Sequence, residues 1–350
     1  MLRSMYSGIS GLKAQQSKLD VVGNNIANAN TTAFKSQSVR FQDMLSQNMQ
    51  NATSPSVNLG GTNPRQVGLG VQVSGIYTNF TTGNMQTTGR NLDAAIDGPG
   101  FFIVGKGSLP KGQDGGIPTT GQILGSSNMD VSFTRDGSFT LDKEGNLLNG
   151  DGLRIMGYSL TGSTQSGANA GGTGVSITYD AQGNATMGFV NADAENLKAT
   201  SDELVPLKIP DTIPTKDKAG KDIEAKVKSF TINKDGIITA SLSDGTSAAL
   251  GQIAMASFKN ENGLEKVGKN LYASSANSGD AVVRSPKGTD PVNDNSKGYG
   301  DMVQSMIEMS NVDLAEQFTE MIVANRAFQA CGKMITTGDE ILQELVNLKR

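Results

Sequence analysis

Met321-Ile322-Val323-Ala324-Asn325-Arg326-Ala327-Phe328-Gln329-Ala330 lies inside the longest regular pattern of the chain. Ile307, Leu314, Met321, Phe328, Ile335 and Leu342 recur every seven residues, and a parallel row, Ala324, Cys331, Gly338 and Leu345, is mostly small. A seven-residue apolar repeat is the seam of a helix that pairs with another helix, and small residues let the partner approach closely. Ser310 with Asp313 three residues later resembles a capping box, which places the helix start near Asn311. At the other end of the chain, Met5, Ile9, Leu12, Leu19 and Ile26 form a thinner seam, interrupted at Gln16 and Gly23. The Asn-rich run from Asn24-Asn25 to Thr32 then reads as turn-forming residues that end this first helix.

Charge favours a meeting of the two helices. Residues 3–20 carry Arg3, Lys13 and Lys18 against Asp20, whereas residues 301–345 carry eight acids against Arg326 and Lys333. Opposite signs on two heptad helices promote pairing. Burial of about a dozen seam side chains at ~2 kcal/mol each is smaller than the cost of ordering some 65 residues at ~1–2 kcal/mol each. The arms are therefore expected to be loose in a single copy and to order when neighbouring copies cover them.

Between the helices the chain is β-like. Residues 31–70 are polar, with Phe41, Met44 and Leu45 as anchors, and read as an extended connecting segment. Val71 to Ile76 and Phe101 to Val104 are strand candidates. Asp136-Gly137, between Phe133-Thr134-Arg135 and Ser138-Phe139-Thr140-Leu141, suits a hairpin turn, and a similar hairpin covers Phe230 to Thr239. Residues 107–127 and 277–298 read as long exposed loops. The composition of 159–228 shifts to Gly, Ala, Asn and Thr, which suggests a second β-domain inserted into the first. The fold class is thus α+β and multidomain. A helical core domain (1–30 and 305–350) is paired in coiled-coil fashion. It is followed by an inner β-domain (71–158 and 229–304) and an inserted outer β-domain (159–228).

The composition excludes much chemistry. The 350 residues include 43 Gly, no Trp and no His, with a net charge of −4. An imidazole base or His metal ligand is impossible, and the charge does not suit a nucleic-acid binder. A single Cys cannot form an internal disulfide. Gly68-Leu69-Gly70, Gly98-Pro99-Gly100 and Gly105-Lys106-Gly107 lack the third glycine and following helix of a dinucleotide loop. Asp142/Glu144 and Asp290/Asp294 read as turn acids without EF-hand spacing. Cys331, on the small-residue row, reads as a packing residue. No catalytic, cofactor or metal site is expected, and no membrane insertion. No cleavable signal peptide is visible at the N-terminus. A surface carbohydrate-acting β-protein with helical tails is a second function class, and an adhesin-like coiled coil a third.

Several blocks resemble the bacterial flagellar rod and hook proteins. Leu19 to Lys35, with Asn24, Asn25, Ile26, Ala27, Asn28, Phe34 and Lys35, looks like the family's N-terminal signature. Ser310 to Glu316, Met321 to Ala330 and Leu342 to Leu348 resemble its C-terminal block, and Val67 to Val71, Thr88 to Asp93, Gly100-Phe101-Phe102 and Phe133 to Gly137 match its middle. Phe41-Gln42-Asp43-Met44-Leu45, the Leu345-Val346-Asn347-Leu348 ending and the inserted segment are similar to the hook branch rather than the distal rod. The resemblance implies a homopolymeric tube whose terminal helices line a channel and whose inserted domain faces outward. It further implies a universal joint passing torque from motor and rod to filament. The expected site is the flagellar hook, outside the cell, reached through the flagellar type III export machinery. Besides itself, the implied partners are the distal rod protein, the hook cap and the hook–filament junction protein.

Overall fold

The computed structural model describes all residues except 1, 56–59, 108–116, 121–122, 125–128, 165–172, 181–183, 195, 201–202, 217–221, 285–298 and 349–350. The chain is mostly β with two long helices, and divides into two compact units, residues 1–81 with 310–350 and residues 82–309.

The first unit holds α1 (Leu2–Ala27), α2 (Leu314–Asn347) and a β-ribbon. With 34 residues, α2 is about 51 Å long. Its N-cap is Asp313, whose carboxylate accepts from Ala315 N at 2.8 Å and Glu316 N at 3.3 Å. The expected Ser310 cap is thus displaced by three residues, because the carboxylate satisfies the orphan amides of the first turn. Ile307, expected on the helical seam, lies instead in the strand Met306–Glu308. Helix α1 runs through Asn24-Asn25 to Ala27 rather than ending at the doublet.

Residues 31–70 are not a plain connector. β1 (Gln37–Asp43) pairs antiparallel with β4 (Val71–Thr78), and β2 (Ser46–Gln50) with β3 (Arg65–Gly68). Val39, Phe41, Val71 and Val73 alternate toward the partly buried side, and β1 and β4 pack on α1. In β2 and β3 every residue is exposed, so no apolar alternation marks them in the sequence. Residues 71–78 consequently lie with the helices and not with the β-unit.

In the second unit, β5 (Met85–Thr87) pairs with Met306–Glu308 and β6 (Ala94–Asp97) with Asp301–Gln304. Ser305, with φ +61°, breaks the returning strand between these two ladders. β7 (Phe101–Lys106) is central. It pairs with Asp130–Thr134, Met255–Ser257 and Arg154–Tyr158, which is why Phe101 to Val104 can be an unbroken apolar run, all fully buried. Phe101 meets Phe258 and Tyr272 edge to face, each with ring centroids 5.8 Å apart.

The Phe230–Thr239 hairpin forms as expected, with Ile232 opposite Ile238. The Asp136-Gly137 hairpin does not. Ala94 N donates to Gly137 O at 3.0 Å, and Thr140–Leu141 turns away to pair with Leu147–Leu148. The expected loop 107–127 contains strands Ile117–Thr120 and Ile123–Leu124, and Val282–Val283 interrupts the expected loop 277–298. The acid pair Asp290/Asp294 lies outside the described residues. The described residues of 159–228 do not stand apart as a domain. Ile177, Tyr179, Phe189, Leu207 and Ile213 share one apolar cluster with Phe102, Val104, Ile155, Ile253 and Met302. Strand Glu203–Pro206 pairs directly with Arg154–Tyr158. Among the described residues the compositional shift therefore marks no break in the core.

Candidate assembly surface

The two helices of the first unit run antiparallel. Gln317 bonds Asn25, Lys18 Nζ lies 3.7 Å from a Glu320 carboxylate oxygen, and further along Cys331, Ile335 and Gly338 face Gly11, Gly8 and Met5. A Cβ built on Gly11 would sit 3.1 Å from Cys331 Sγ, and one on Gly8 3.4 Å from Ile335 Cγ1. Glycine on one helix therefore accommodates larger side chains on the other. The Lys18–Glu320 pair is only half-buried and contributes little to stability, so the expected charge attraction does little to hold the helices together.

The predicted seam residues are only partly covered. Met5, Leu12, Leu19, Ile26, Met321, Phe328, Ile335 and Leu342 are half-buried, whereas Ile9, Leu314 and Leu345 are exposed. Among the described residues the buried positions of the pair are Gly8, Ala14, Val22, Asn25, Gln317 and Ala324. Asn25 and Gln317 escaped the seam reading because it counts only apolar side chains. Cys331 is half-buried between the helices, consistent with packing.

The signature residues have distinct tasks. Asn25 Nδ2 donates to Gln37 O at 2.8 Å and to Gln317 Oε1 at 2.9 Å, while its Oδ1 accepts from Gln37 N at 3.0 Å. Asn28 Nδ2 donates to Asn24 Oδ1 and to Asn24 O, closing the helix end. Ala27 is exposed. Ala33, at φ +56°, turns the chain so that Phe34 and Lys35 point inward, both buried. Lys35 Nζ donates to Thr81 O at 2.8 Å.

Much apolar side chain remains outside. Among the described residues, seventeen of the twenty-two exposed large apolar side chains belong to this unit, although it is the smaller of the two. On α2, Phe318, Ile322, Val323, Met334 and Ile341 are 43–62% exposed. On the ribbon, Met44, Leu45 and Met49 are uncovered, and a groove of ≈ 440 Å³ opens between α1 and the ribbon, lined by Tyr6, Ile9, Lys13, Met44 and Val73 among others. Exposed apolar side chains gathered on one unit make it the candidate surface for contact with another protein. Among the described residues no cluster of three or more Cys, Asp or Glu side chains suits a metal ion, and no helix is long and apolar enough to cross a membrane.

Three family models match: flagella basal body rod protein over residues 5–35, flagellar hook protein FlgE/F/G D1 domain over 122–240, and flagellar basal body rod FlgEFG protein C-terminal over 303–348. The flagellar basal-body rod protein FlgG of Bacillus subtilis is 39% identical, with all of both chains covered. The flagellar hook protein FlgE of Borreliella burgdorferi is 31% identical, again with all of both chains covered, and that of Escherichia coli 28%, over 97% of this chain and 98% of that one. The solved Helicobacter pylori flagellar hook protein FlgE2 superposes with a TM-score of 0.39 at 9% identity, over 64% of this chain and 100% of that chain, too distant to bear on the fold. Matching at both helical ends and through the β-rich middle, and alike over its whole length to a relative at 39% identity, the chain belongs to the rod and hook axial proteins of the bacterial flagellum.

Proposed function

We propose that the chain is the repeating subunit of a flagellar hook, a tube of identical copies that bends while it carries torque from the motor and rod to the filament. The observation that carries polymerisation is the apolar face left uncovered on both helices and the ribbon. A single copy has nothing to set against it, and further copies present the same surface. The antiparallel helix pair would form the innermost layer of the tube, and export through the flagellar type III channel would deliver subunits to its growing end. Phe41-Gln42-Asp43-Met44-Leu45 and the Leu345-Val346-Asn347-Leu348 ending favour the hook. The segment 159–228 no longer counts toward that choice, since it shares its core with the rest of the β-unit.

The distal rod is the second reading, favoured by the 39% identity to a relative described as a rod protein. Electron microscopy of purified full-length protein under polymerising conditions separates the two. Short curved tubes support the hook; straight tubes support the rod. Protein that stays monomeric at millimolar concentration, where isolated copies should associate, sinks both.

A further inference from the structure

The chain passes from the helical unit to the β-unit at residues 81–82 and returns at 309–310. On each side of these crossings, within one unit, a fully buried cation gathers the strands. On the helical side Lys35 Nζ donates to Thr81 O at 2.8 Å. Asn311 joins it: its Nδ2 donates to Asn79 O at 2.8 Å and Thr81 Oγ1 at 3.1 Å, and its Oδ1 accepts from Ser36 N at 2.7 Å. The outgoing residues 79–81 are thus tied to Lys35, and Asn311 on the returning side joins them to Ser36.

On the β side the cation is Arg135. Its Nη1 lies 3.4 Å from Glu308 Oε2 and donates to Ile96 O at 3.3 Å, while Nη2 donates to Gly98 O at 2.7 Å. Glu308 Oε1 accepts from Gly83 N at 2.8 Å. The guanidinium therefore holds the end of β6, the returning strand Met306–Glu308 and, through the carboxylate, Gly83 just ahead of β5. Arg135 and Glu308 are 1% and 0% exposed, and the Phe101 ring lies under the guanidinium at 5.5 Å. A buried ion pair adds little net stability compared with apolar packing, but it fixes register, and loss of one partner is costly. Strands Met85–Thr87 and Met306–Glu308 pair only with each other among the described residues, so the Arg135–Glu308 pair ties this ladder to the rest of the β-unit in a way that strand pairing does not.

We propose that Lys35 and the Arg135–Glu308 pair are two separate clamps that fix the crossing strands to their own units, so that force carried along the chain enters each unit at a buried cation. The clamps stand independently of the hook reading; the role in carrying force rests on it. Hydrogen exchange on the full-length chain tests the clamps, dilute for the Arg135–Glu308 pair and at a concentration that orders the helical arms for Lys35. In Glu308→Gln and in Arg135→Met, amides of residues 83–97 and 301–309 should exchange at least tenfold faster, with 101–106 and 237–257 protected as in the wild type. In Lys35→Met the acceleration should fall on 34–37 and 79–81 and spare 301–309. Unchanged exchange at the crossing strands overturns the proposal. Equal acceleration throughout the β-unit in both Glu308→Gln and Arg135→Met also overturns it, because the pair would then support the core and not the crossing. For the role in force, tubes of Glu308→Gln pulled by optical tweezers should yield at lower force than wild-type tubes; equal force at accelerated exchange rejects that role alone. Wild-type protein that forms no tubes counts against the assembly reading and leaves the exchange result standing.

Discussion

The side-chain amide of Asn25 donates to Gln317 Oε1 at 2.9 Å, joining residues 292 positions apart where α1, α2 and the start of β1 converge. The same amide satisfies both backbone groups of Gln37. Asn25→Leu keeps the size but orphans Gln37 N–H, Gln37 C=O and the Gln317 amide. Each buried orphan costs about 1–3 kcal/mol, so the expected loss is about 3 kcal/mol or more. Chemical denaturation followed by circular dichroism at the helix band checks this, because among the described residues both α-helices lie in this unit. A loss under 1 kcal/mol would mean that water replaces the amide.

Gly137 carries the second expectation. A Cβ there would collide with the Ala94 carbonyl, whose own residue donates to Gly137 O. The obstacle is backbone at the start of β6, so it cannot swing aside as a side chain would. Gly137→Ala should destabilise the β-unit by about 3 kcal/mol, the upper range for a buried single substitution. Gly150→Ala, where a Cβ meets nothing within 4 Å, is the control and should shift the midpoint little. Differential scanning calorimetry of the two variants gives the comparison.

These two sites show where the residues announce the fold and where they do not. The helices and the Phe101 to Val104 strand were legible because burial on one face or on both leaves a periodic or continuous apolar mark. Asn25 and Gln317 left none: a buried polar pair is defined by its partner, which lies at the far end of the chain. Ile307 kept the heptad spacing but extends as a strand, since Asp313 starts the helix after it. The Asp136-Gly137 turn failed because Gly137 serves close approach to Ala94 rather than chain reversal. The ribbon of residues 37–78 was hidden by the full exposure of its outer half. For the assembly surface, the apolar content of α2 was visible, but which residues face α1 and which face outward needed the antiparallel register.

That division sets the third expectation. Phe318 and Ile322 are 50% and 62% exposed and do not support the single chain. Phe318→Ser or Ile322→Ser should leave the melting temperature within about 2 °C, a change below 1 kcal/mol. If these side chains are buried between copies, each contributes ~2 kcal/mol there, and the critical concentration for tube formation should rise about 30-fold. Sedimentation of polymer at a series of protein concentrations measures it. An unchanged critical concentration would place the contact face elsewhere on the unit.

The last expectation concerns alkaline pH. Burial pushes the Tyr179 phenol up to about 12, with a nearby Arg154 charge opposing it, and Tyr179 Oη donates to Pro206 O at 2.9 Å. Burial likewise raises Tyr272 to about 12 and Tyr158 further still. A phenol whose pKa is raised by folding stabilises the native state fully below its unfolded value of about 10, and that contribution is lost as pH climbs through the folded value. The β-unit should therefore weaken between about pH 10 and 12, by up to about 1.4 kcal/mol per pH unit for each such tyrosine. Tyr179→Phe removes one ionising group, so its stability should fall less steeply across that window, although it starts lower at pH 7 by about 1 kcal/mol for the lost hydrogen bond. Urea midpoints at intervals from pH 8 to 12 yield both slopes. Parallel slopes for the two proteins would show that Tyr179 ionises without unfolding its surroundings, and would argue that the strand Ile177–Tyr179 opens locally ahead of the rest of the core.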